Sequence, residues 1–451
     1  MGNSLYAKLI TPVALLLLAG CASVKPPVGK ALSPAERARE LTRKGRPLEA
    51  MSELEKILAR QPADLCAHRW YVEAATEAGQ LQKIEGKYLA QLNGHLAAFA
   101  HYGLGLIEAA RGAGHESQAQ QHLEKAAELL PQAADIPYRL GLLKRMGGDL
   151  TQAAQAFEKT LELDPRHCEA RVSLADVRVR LGEEAGVLEL LKPLLEQDCS
   201  ARAMEQARAV AARVFNPARL SEPDDVPDLE RALDLMQKDL VQQALSLVEK
   251  VLARAPSDSF ALALKGLAHS RLENFGEAVT AFEEALARQP QNVAALLGLG
   301  DIFFRLQRLE KARGYYEKAA LLNPLDPQAQ QRLGELAQAR RDFDTASAAF
   351  ARLVKLIPQD VAGRHLYALA LFQAGRTEQA IAAYEEILRL KEHDLEALMR
   401  LGSLYGALAR SEPAMRQQRR ELALYYLKRA HKIAPENQAI AEMMEKIKKE
   451  K

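Results

Sequence analysis

The feature that most constrains this chain is a repeat of 34 residues. Four prolines stand at this interval, and a small residue, an alanine and an aromatic residue recur between them with the same period. The positions are Pro256, Pro290, Pro324 and Pro358 for proline, Gly266, Gly300, Gly334, Ala368 and Gly402 for the small residue, Ala278, Ala312, Ala346 and Ala380 for alanine, and Phe282, Tyr316, Phe350 and Tyr384 for the aromatic residue. Because independent positions keep one period, the sequence predicts an array of similar units in this part of the chain.

Each recurring residue type has a physical role in a helical hairpin. Apolar residues occur at helical spacing on both sides of a break near Asn274. The small residues allow two helix axes to approach to about 8 Å, the aromatic residue fills the space beside that contact, and proline ends the second helix because it has no N–H. One hairpin cannot bury its own apolar face, so we expect an all-α solenoid of stacked antiparallel hairpins.

These units resemble tetratricopeptide repeats, and the clearest copy is LLGLGDIFFRLQRLEKARGYYEKAALLNP, from Leu296 to Pro324. About eleven copies begin near residues 31, 65, 99, 134, 168, 225, 259, 293, 327, 361 and 395. The copies before residue 202 are more degenerate than those from residue 225 onward. The resemblance implies a protein-binding fold in which the first helices line a concave groove.

The predicted organisation has two arrays, which a break in the period separates. The segments are a signal peptide (1–20), a lipidated tether (21–32), a degenerate N-terminal array (33–201), a closing helix with a linker rich in proline and aspartate (202–227), a C-terminal array (228–437) and a capping helix (438–451). An insertion near 410–421 is basic and contains Pro413. It predicts a protruding loop or a lengthened hairpin.

The start of the chain predicts export and lipidation. The apolar run from Leu9 to Ala19 is shorter than the roughly 20 residues that span a bilayer as a helix, and its length is typical of a secretory signal peptide. The quartet Leu18-Ala19-Gly20-Cys21 resembles the lipobox of bacterial lipoproteins, which implies cleavage before Cys21 and acylation of this residue, with palmitate as the expected label. Ala22, where an aspartate would imply the inner membrane, favours the outer membrane and a periplasm-facing protein. An ordinary signal peptide with an incidental cysteine is the alternative.

Composition and motifs argue against several functions. The 61 basic and 59 acidic residues are spread along the chain, so no sustained basic field exists for nucleic acid. No Cys-x-x-Cys occurs and the ten histidines are scattered, which does not support a metal site. Phosphate-binding loops, serine nucleophile elbows and His-Glu-x-x-His are also absent. We therefore expect a protein that is not an enzyme, with no cofactor and no small-molecule substrate.

Cys168 and Cys199 stand at the two ends of one predicted hairpin. Because the helices of a hairpin are antiparallel, both residues come to the same end of it. A disulfide needs Cα atoms within about 7 Å, which spacing alone does not guarantee. A disulfide and two buried free thiols therefore both remain open.

The predicted partner-binding groove consists of first-helix residues that are not needed for packing within the hairpin. It contains Leu267, Arg271, Leu297, Asp301, Phe304, Arg305, His365, Leu369, Phe372 and Met399. The lysine and asparagine set by which chaperone-binding relatives hold a terminal carboxylate is absent here. We therefore expect an amphipathic helix or an apolar peptide, oriented by Asp301 and Arg305. The alternative is that Phe304 and Phe372 only pack against the neighbouring hairpin.

Together these features predict a membrane-anchored scaffold for protein partners of the cell envelope. The architecture resembles outer-membrane tetratricopeptide lipoproteins that help to assemble type IV pilus secretins or exopolysaccharide export machinery. The alternative is an adaptor or regulator of envelope enzymes such as peptidoglycan synthases or proteases.

Overall fold

A computed structural model describes residues 32–215, 221–411 and 413–449 of the chain. In these ranges there are 24 α-helices and no strand, which confirms the prediction of an all-α fold of stacked hairpins. The signal peptide, Cys21 and the centre of the predicted linker lie outside the described residues. The chain divides into two compact units, 1–210 and 211–451.

Five hairpins form the described part of the N-terminal unit, and an eleventh helix follows them across the unit boundary. The helices are α1 (Pro34–Arg43), α2 (Pro47–Arg60), α3 (Leu65–Glu77), α4 (Leu81–Leu89), α5 (Ala97–Arg111), α6 (Glu116–Leu129), α7 (Asp135–Met146), α8 (Leu150–Leu163), α9 (Cys168–Arg180), α10 (Val187–Leu191) and α11 (Ala201–Val214). A 3₁₀-helix, Lys192–Leu195, extends α10. The last hairpin therefore has an unusually short second helix.

Six hairpins and a final helix form the described part of the C-terminal unit. The helices are α12 (Val226–Gln237), α13 (Val241–Arg254), α14 (Ser259–Arg271), α15 (Phe275–Arg288), α16 (Val293–Arg305), α17 (Leu309–Leu322), α18 (Pro327–Ala339), α19 (Phe343–Leu356), α20 (Val361–Gln373), α21 (Thr377–Leu390), α22 (Leu395–Ser411), α23 (Arg416–Ile433) and α24 (Gln438–Lys449). The first helices of these hairpins begin at, or one residue after, the predicted starts of the copies.

The close contact within each hairpin depends on the small residue of the repeat. A Cβ atom added to Gly300 would lie 2.3 Å from Cε1 of Tyr316, and one added to Gly334 would lie 2.4 Å from Cε1 of Phe350. Both rings are buried, so they have no room to move away. A side chain at these glycines would force the helices of the hairpin apart.

Two further positions recur with the same period, although the sequence analysis did not single them out. An aspartate or asparagine before five of the first helices accepts a backbone N–H from the first turn, as N-cap residues do. These residues are Asp258, Asn292, Asp326, Asp360 and Asp394. Within the hairpin turns of this unit, Asp239, Glu273, Gln307 and Arg341 have positive φ near 60°. The N-cap position is visible in the sequence, because an aspartate or asparagine stands two residues after each of the four repeating prolines, Pro256, Pro290, Pro324 and Pro358.

The insertion near residue 412 lengthens the last hairpin. Helices α22 and α23 have 17 and 18 residues, whereas α20 and α21 have 13 and 14. A 3₁₀-helix, Pro413–Met415, precedes α23. Of the two forms that the sequence left open, the described residues adopt the lengthened hairpin.

Cys168 and Cys199 are joined in the structure. Their sulfur atoms are 2.06 Å apart and their Cα atoms 5.8 Å apart. Cys168 begins α9 and Cys199 follows the 3₁₀-helix, so the bond closes the hairpin whose second helix is short. Of the two open alternatives, the structure therefore contains the disulfide rather than two free thiols.

Candidate partner-binding groove

The first helices of consecutive hairpins form the candidate groove of the C-terminal unit. Helix α14 contacts α16, and α16 contacts α18, without an intervening second helix. The ten predicted groove residues lie on α14, α16, α20 and α22. The structure therefore distributes them over four first helices of one unit.

The apolar members of the predicted groove differ in their exposure. Leu297 has only 8% of its surface exposed and belongs to the core cluster that contains Phe282 and Phe303. Its assignment to a partner-binding surface was wrong, because α14 and α16 pack against each other and cover this position. Leu267 and Phe304 are half-buried and pack on the same core.

The other end of the groove is more open. Phe372 has 45% of its surface exposed, and Leu369, one turn before it on α20, is half-buried. Met399 on α22 is also half-buried and packs on the core of the last hairpins. Phe304 and Phe372 occupy equivalent positions of two repeats, but only Phe372 presents much of its ring to solvent.

Asp301 does not offer a free charge to a partner. Its carboxylate accepts the Tyr316 hydroxyl at 2.7 Å and pairs with Nε of Arg332 at 2.9 Å. Burial, together with the neighbouring carboxylate, raises the pKa of Tyr316 well above its usual value. Arg332, which lies 31 residues away in sequence, balances the charge of Asp301, and the role of Asp301 in orienting a partner stays a prediction.

The two arginines of the predicted groove are exposed. Arg271 donates to the main-chain carbonyl of Met236, which fixes its side chain against the preceding hairpin. Arg305, at the end of α16, forms no ion pair with another residue in the described ranges. Of the two predicted arginines, Arg305 is thus the one whose guanidinium group has neither a hydrogen bond nor an ion pair within the described ranges.

His365 is held in place by the N-terminus of the next first helix. Its Nε2 lies 3.0 Å from Oδ1 of Asp394, the residue that caps α22. Burial opposes ionisation of this carboxylate, but hydrogen bonds from the Ala397 N–H and Lys391 keep the pKa of Asp394 below its usual value. His365 therefore has a positioned side chain at the edge of the open region.

Between the apolar parts of the groove lies a polar first helix that the sequence analysis missed. On α18, Gln331 donates to Glu335 at 2.8 Å, and Glu335 also pairs with Arg332 at 2.9 Å. Gln338 donates to Gln373 on α20 at 3.1 Å. Gln331, Glu335 and Gln338 stand 34 residues after Leu297, Asp301 and Phe304 of the predicted groove. The period of the repeat was therefore enough to predict them as groove residues.

A family comparison identifies the repeat. The model of the tetratricopeptide repeat matches residues 104–167, 138–186, 263–330, 332–394 and 368–437, which together make up more than half of the 451 residues. The chain belongs to the tetratricopeptide repeat family. Tetratricopeptide repeat proteins mediate protein–protein interactions, and their fold is generally a non-catalytic scaffold.

One curated relative matches a short part of the chain. It is a probable biofilm formation methyltransferase, WspC, of Pseudomonas putida, 37% identical over 78 residues. The match covers 17% of this tetratricopeptide repeat protein and only 18% of the relative. Most of the methyltransferase therefore has no counterpart in this match.

Several solved structures align with parts or most of the chain. YrrB, described as having an unusual peptide-binding site, is 18% identical and covers 43% of this chain and 96% of its own, with a TM-score of 0.37. MamA is 22% identical, with 38% and 95% coverage and a TM-score of 0.34. The Cut9–Hcn1 hetero-tetramer of the APC/C is 13% identical, with 91% and 95% coverage and a TM-score of 0.38.

Histidines and acidic residues do not converge on a metal site in the described residues. In these ranges no group of three or more His, Cys, Asp or Glu side chains has the arrangement to hold a metal ion. His115 pairs with Glu108 at 2.6 Å, and His122 lies 3.0 Å from His101. His115 and His122 therefore have separate partners.

Proposed function

We propose that this protein is a membrane-tethered scaffold whose C-terminal array binds an amphipathic helix or apolar peptide of a partner in the cell envelope. The observation that carries the proposal is the exposed ring of Phe372 beside Leu369 on a first helix. Most aromatic side chains at the recurring positions of this unit are buried in the hairpins. An exposed aromatic residue in a surface groove is a typical anchor for a partner.

The charges of the groove favour a partner with an acidic residue beside its apolar face. Arg305 is exposed, whereas the carboxylates of Asp301 and Glu335 already pair with Arg332. The polar side chains of α18 separate the region around Phe304 from the region around Phe372. A helix that binds there would place apolar residues on Phe372 and Leu369 and its acidic residue near Arg305.

The test replaces Phe372 by alanine and measures both stability and partner capture. We expect crosslinked partner to decrease strongly while the free energy of unfolding changes little, because the ring is exposed. Phe304→Ala is the matched comparison at the equivalent position, and Tyr425→Ala, an exposed aromatic on a second helix, is the control. A buried Phe→Ala change costs about 3–5 kcal/mol, so a loss of that size at Phe372 would contradict a binding role.

The identity of the crosslinked protein tests the pathway. Subunits of a pilus secretin or of an exopolysaccharide export apparatus would support an assembly role for the tetratricopeptide array. A peptidoglycan synthase or a protease among the crosslinked proteins would instead favour a regulator of envelope enzymes. Unchanged capture of the partner by both Phe372→Ala and Phe304→Ala would contradict the proposal that the partner binds in this groove.

The tether is tested at Cys21, which we propose as the lipidated residue. No helix in the described ranges is long and apolar enough to cross a membrane. Two or more acyl chains on one residue give a stable anchor, so Cys21→Ser should abolish palmitate labelling and release the protein from membranes. Ala22→Asp is the matched variant, which should keep the label but move the protein to the inner membrane. A Cys21→Ser protein that still fractionates with membranes would refute the lipid anchor.

A further inference from the structure

A stripe of side chains runs along the solvent-facing side of α23, the second helix of the last hairpin in the C-terminal unit. These side chains recur at helical spacing and line an open depression of about 470 Å³, and they are Glu421, Leu424, Tyr425, Lys428, Arg429 and Lys432. The first and the last are eleven positions apart, so this α23 stripe is about 16 Å long. It lies on a second helix, whereas the groove described above lies on first helices.

The α23 stripe departs from the repeat pattern. Leu427 packs against Gly402 as the Phe282 ring packs against Gly266, so the positions of α23 can be matched to those of α15, α17, α19 and α21. Tyr425 stands where these four helices have small residues, which are Thr280, Gly314, Ala348 and Ala382. Lys428 stands where three of them have a glutamate, which is Glu283, Glu317 or Glu385. Helix α23 therefore presents an aromatic ring and a positive charge at positions where the hairpin itself requires neither.

The aromatic ring of the stripe is exposed but held in place. Tyr425 has 53% of its surface exposed. Its ring centre lies 5.1 Å from that of Tyr426, in an edge-to-face contact, and 5.6 Å from the guanidinium carbon of Arg429. Arg429 in turn donates to the main-chain carbonyl of Glu392 at 3.0 Å. Because these contacts order the Tyr425 ring in advance, covering it with a partner costs less conformational entropy.

The charges of the stripe on either side of Tyr425 are exposed. Glu421 accepts the side-chain amide of Gln417 at 2.6 Å, and it forms no ion pair within the described ranges. Lys428 and Lys432 are exposed and have neither a hydrogen bond nor an ion pair within the same ranges. Along α23 the stripe is therefore first negative, then aromatic, then positive. A helix with the same order of side chains, running in the opposite direction, is complementary to it.

We propose that α23 pairs with α23 of a second copy of this chain, antiparallel and across a two-fold axis midway between Tyr425 and Lys428. This symmetry brings Glu421 of each copy to the level of Lys432 of the other copy. It also brings Tyr425 of each copy to the level of Lys428 of the other copy. Each contact occurs twice, as in any two-fold interface. The first contact is an ion pair, and the second places an ammonium group against an aromatic ring.

The spacing of these four residues suits a pair of helices. They are separated by four, three and four positions, as the a and d residues of two packed helices are. Two single helices bury less surface than the roughly 1,200–2,000 Å² of a stable interface, so we expect a weak dimer that forms as concentration rises and that salt weakens. An anionic membrane fits the stripe less well than a second copy does, because the membrane would repel Glu421.

Exchange of the charges at Glu421 and Lys432 tests the pairing. Sedimentation velocity of the full chain over a series of concentrations gives the dissociation constant of the dimer. We expect Glu421→Lys and Lys432→Glu each to weaken the dimer about tenfold or more, because each change places like charges together twice. The double variant restores opposite charges at both places and should recover the affinity of the unaltered chain. Glu284→Lys, an equal change of charge at an exposed position of α15, is the matched control and should leave the dimer unchanged.

Tyr425→Ala separates this contact from the groove. It should weaken the dimer about fivefold, because it removes the ring from both cation–π contacts, while capture of a partner through Phe372 stays unchanged. Circular dichroism shows whether each variant keeps the native helix content, which exposed substitutions should preserve.

Two results of the sedimentation series would overturn the proposal. One is a chain that stays monomeric at every concentration, and the other is a double variant that dimerises as weakly as the two single variants. Vesicles of phosphatidylcholine and phosphatidylglycerol test the competing surface. Binding of a monomeric chain to these vesicles, with loss of binding in Lys432→Glu, would overturn the pairing in favour of a membrane contact.

Discussion

The two units share one fold but bury different chemistry. In the N-terminal unit, Arg69 and Arg139 occupy fully buried positions around Asp135. Both units pack a ring against a glycine within a hairpin, as Phe157 does against Gly141 and Tyr316 against Gly300, but no fully buried arginine is found among the described residues of the C-terminal unit. The degenerate repeats therefore contain a polar network that the regular repeats lack at those positions. The degenerate repeats of the N-terminal unit therefore differ from the regular repeats in the side chains that they bury.

The hairpin turns differ as well. In the N-terminal unit, glycine takes the left-handed conformation, as at Gly79 and Gly148, where φ is 64° and 84°. In the C-terminal unit, Gln307 and Arg341 adopt it with φ of 59°, although a side chain makes this conformation less favourable by roughly 1–2 kcal/mol. Four turns of the C-terminal unit thus hold a side chain at positive φ, whereas the turn at Gly375, with φ of 77°, uses glycine as the N-terminal unit does.

The largest expected effect follows from Asp135→Asn. This change leaves two buried guanidinium groups without their shared counter-charge, and breaking a buried ion pair costs about 3–5 kcal/mol. Asp301→Asn in the C-terminal unit removes a partly exposed partner of Arg332 and should cost about 1 kcal/mol or less. Urea unfolding measures both, with Trp70 fluorescence for the N-terminal unit and circular dichroism for the whole chain. Equal losses would show that the two interiors are energetically alike.

The disulfide should have the next largest effect. A bond between residues 31 apart in sequence stabilises by about 3–4 kcal/mol through the entropy of the unfolded chain. Replacing both Cys168 and Cys199 by serine should therefore lower the unfolding midpoint of the N-terminal unit, where α10 is short. Trp70 fluorescence in urea gives the midpoint, and peptide mapping without reductant detects the bond. Alkylation of Cys168 in the native oxidised protein would contradict the bond.

Gly300→Ala tests the close helix contact, which the two units share. The added methyl group meets the buried Tyr316 ring, and overpacking of this kind costs about 1–3 kcal/mol. Gly141→Ala should have a similar cost, because its Cβ would lie 2.6 Å from Phe157 in the N-terminal unit. Gly314 is the control, since a Cβ there meets no atom within 4 Å, and Gly314→Ala should stabilise α17 by about 0.5–1 kcal/mol. Thermal unfolding measures all three, and a neutral Gly300→Ala would contradict the packing argument.

Mild acid should weaken the N-terminal unit. Burial lowers the pKa of His68, whose Nε2 donates to the Pro62 carbonyl while Nδ1 accepts the Tyr88 hydroxyl. Because the folded state holds this histidine neutral, its contribution is complete above the unfolded pKa of about 6.5 and is lost as pH falls below that value. The urea midpoint by Trp70 fluorescence should therefore decrease from pH 7.5 to 5.

His68→Gln should reduce this pH dependence, since glutamine can donate and accept but does not titrate in this range. His365→Gln in the C-terminal unit is the control and should leave the Trp70 transition unchanged. Burial also lowers the pKa of His101, His122 and His167, so part of the dependence should survive His68→Gln. A transition with no dependence on pH in the unaltered protein would contradict the expectation.

The smallest expected effects are in the turns. Gln307→Gly should stabilise the C-terminal unit by about 0.5–1 kcal/mol, because glycine adopts positive φ without a steric cost. Gly148→Ala should destabilise the N-terminal unit by about 1 kcal/mol for the same reason, since a Cβ there meets no atom within 4 Å. Urea midpoints by circular dichroism and Trp70 fluorescence measure the two changes, and opposite signs would contradict the backbone argument.

The sequence was sufficient for the hairpins, because their determinants are local and repeated. The predicted copy starts near residues 65, 168, 259 and 293 coincide with the first residues of α3, α9, α14 and α16. Small, aromatic and proline positions act within one hairpin of about thirty residues, so their spacing is enough to predict the contact between Gly300 and Tyr316. The N-cap aspartates were equally visible in the sequence but were overlooked.

The groove could be predicted only in part. Phe304 and Phe372 have the same position in their repeats, yet one packs on the core and the other is exposed. Asp301 looked available until Arg332 of the following repeat was seen to neutralise it. The exposure of a groove residue and the pairing of its charge depend on side chains of neighbouring hairpins. The residue types at those positions do not repeat with the 34-residue period.

The sequence by itself therefore determined the all-α fold and the repeating hairpins, because short-range periodic packing selects them. Only the tertiary structure showed which side chains are covered and which charges are paired. Arg69 and Asp135 are 66 residues apart and meet because α3 and α7 belong to one stack of hairpins. Contacts between non-adjacent repeats depend on the side chains of each copy, and no 34-residue pattern specifies them.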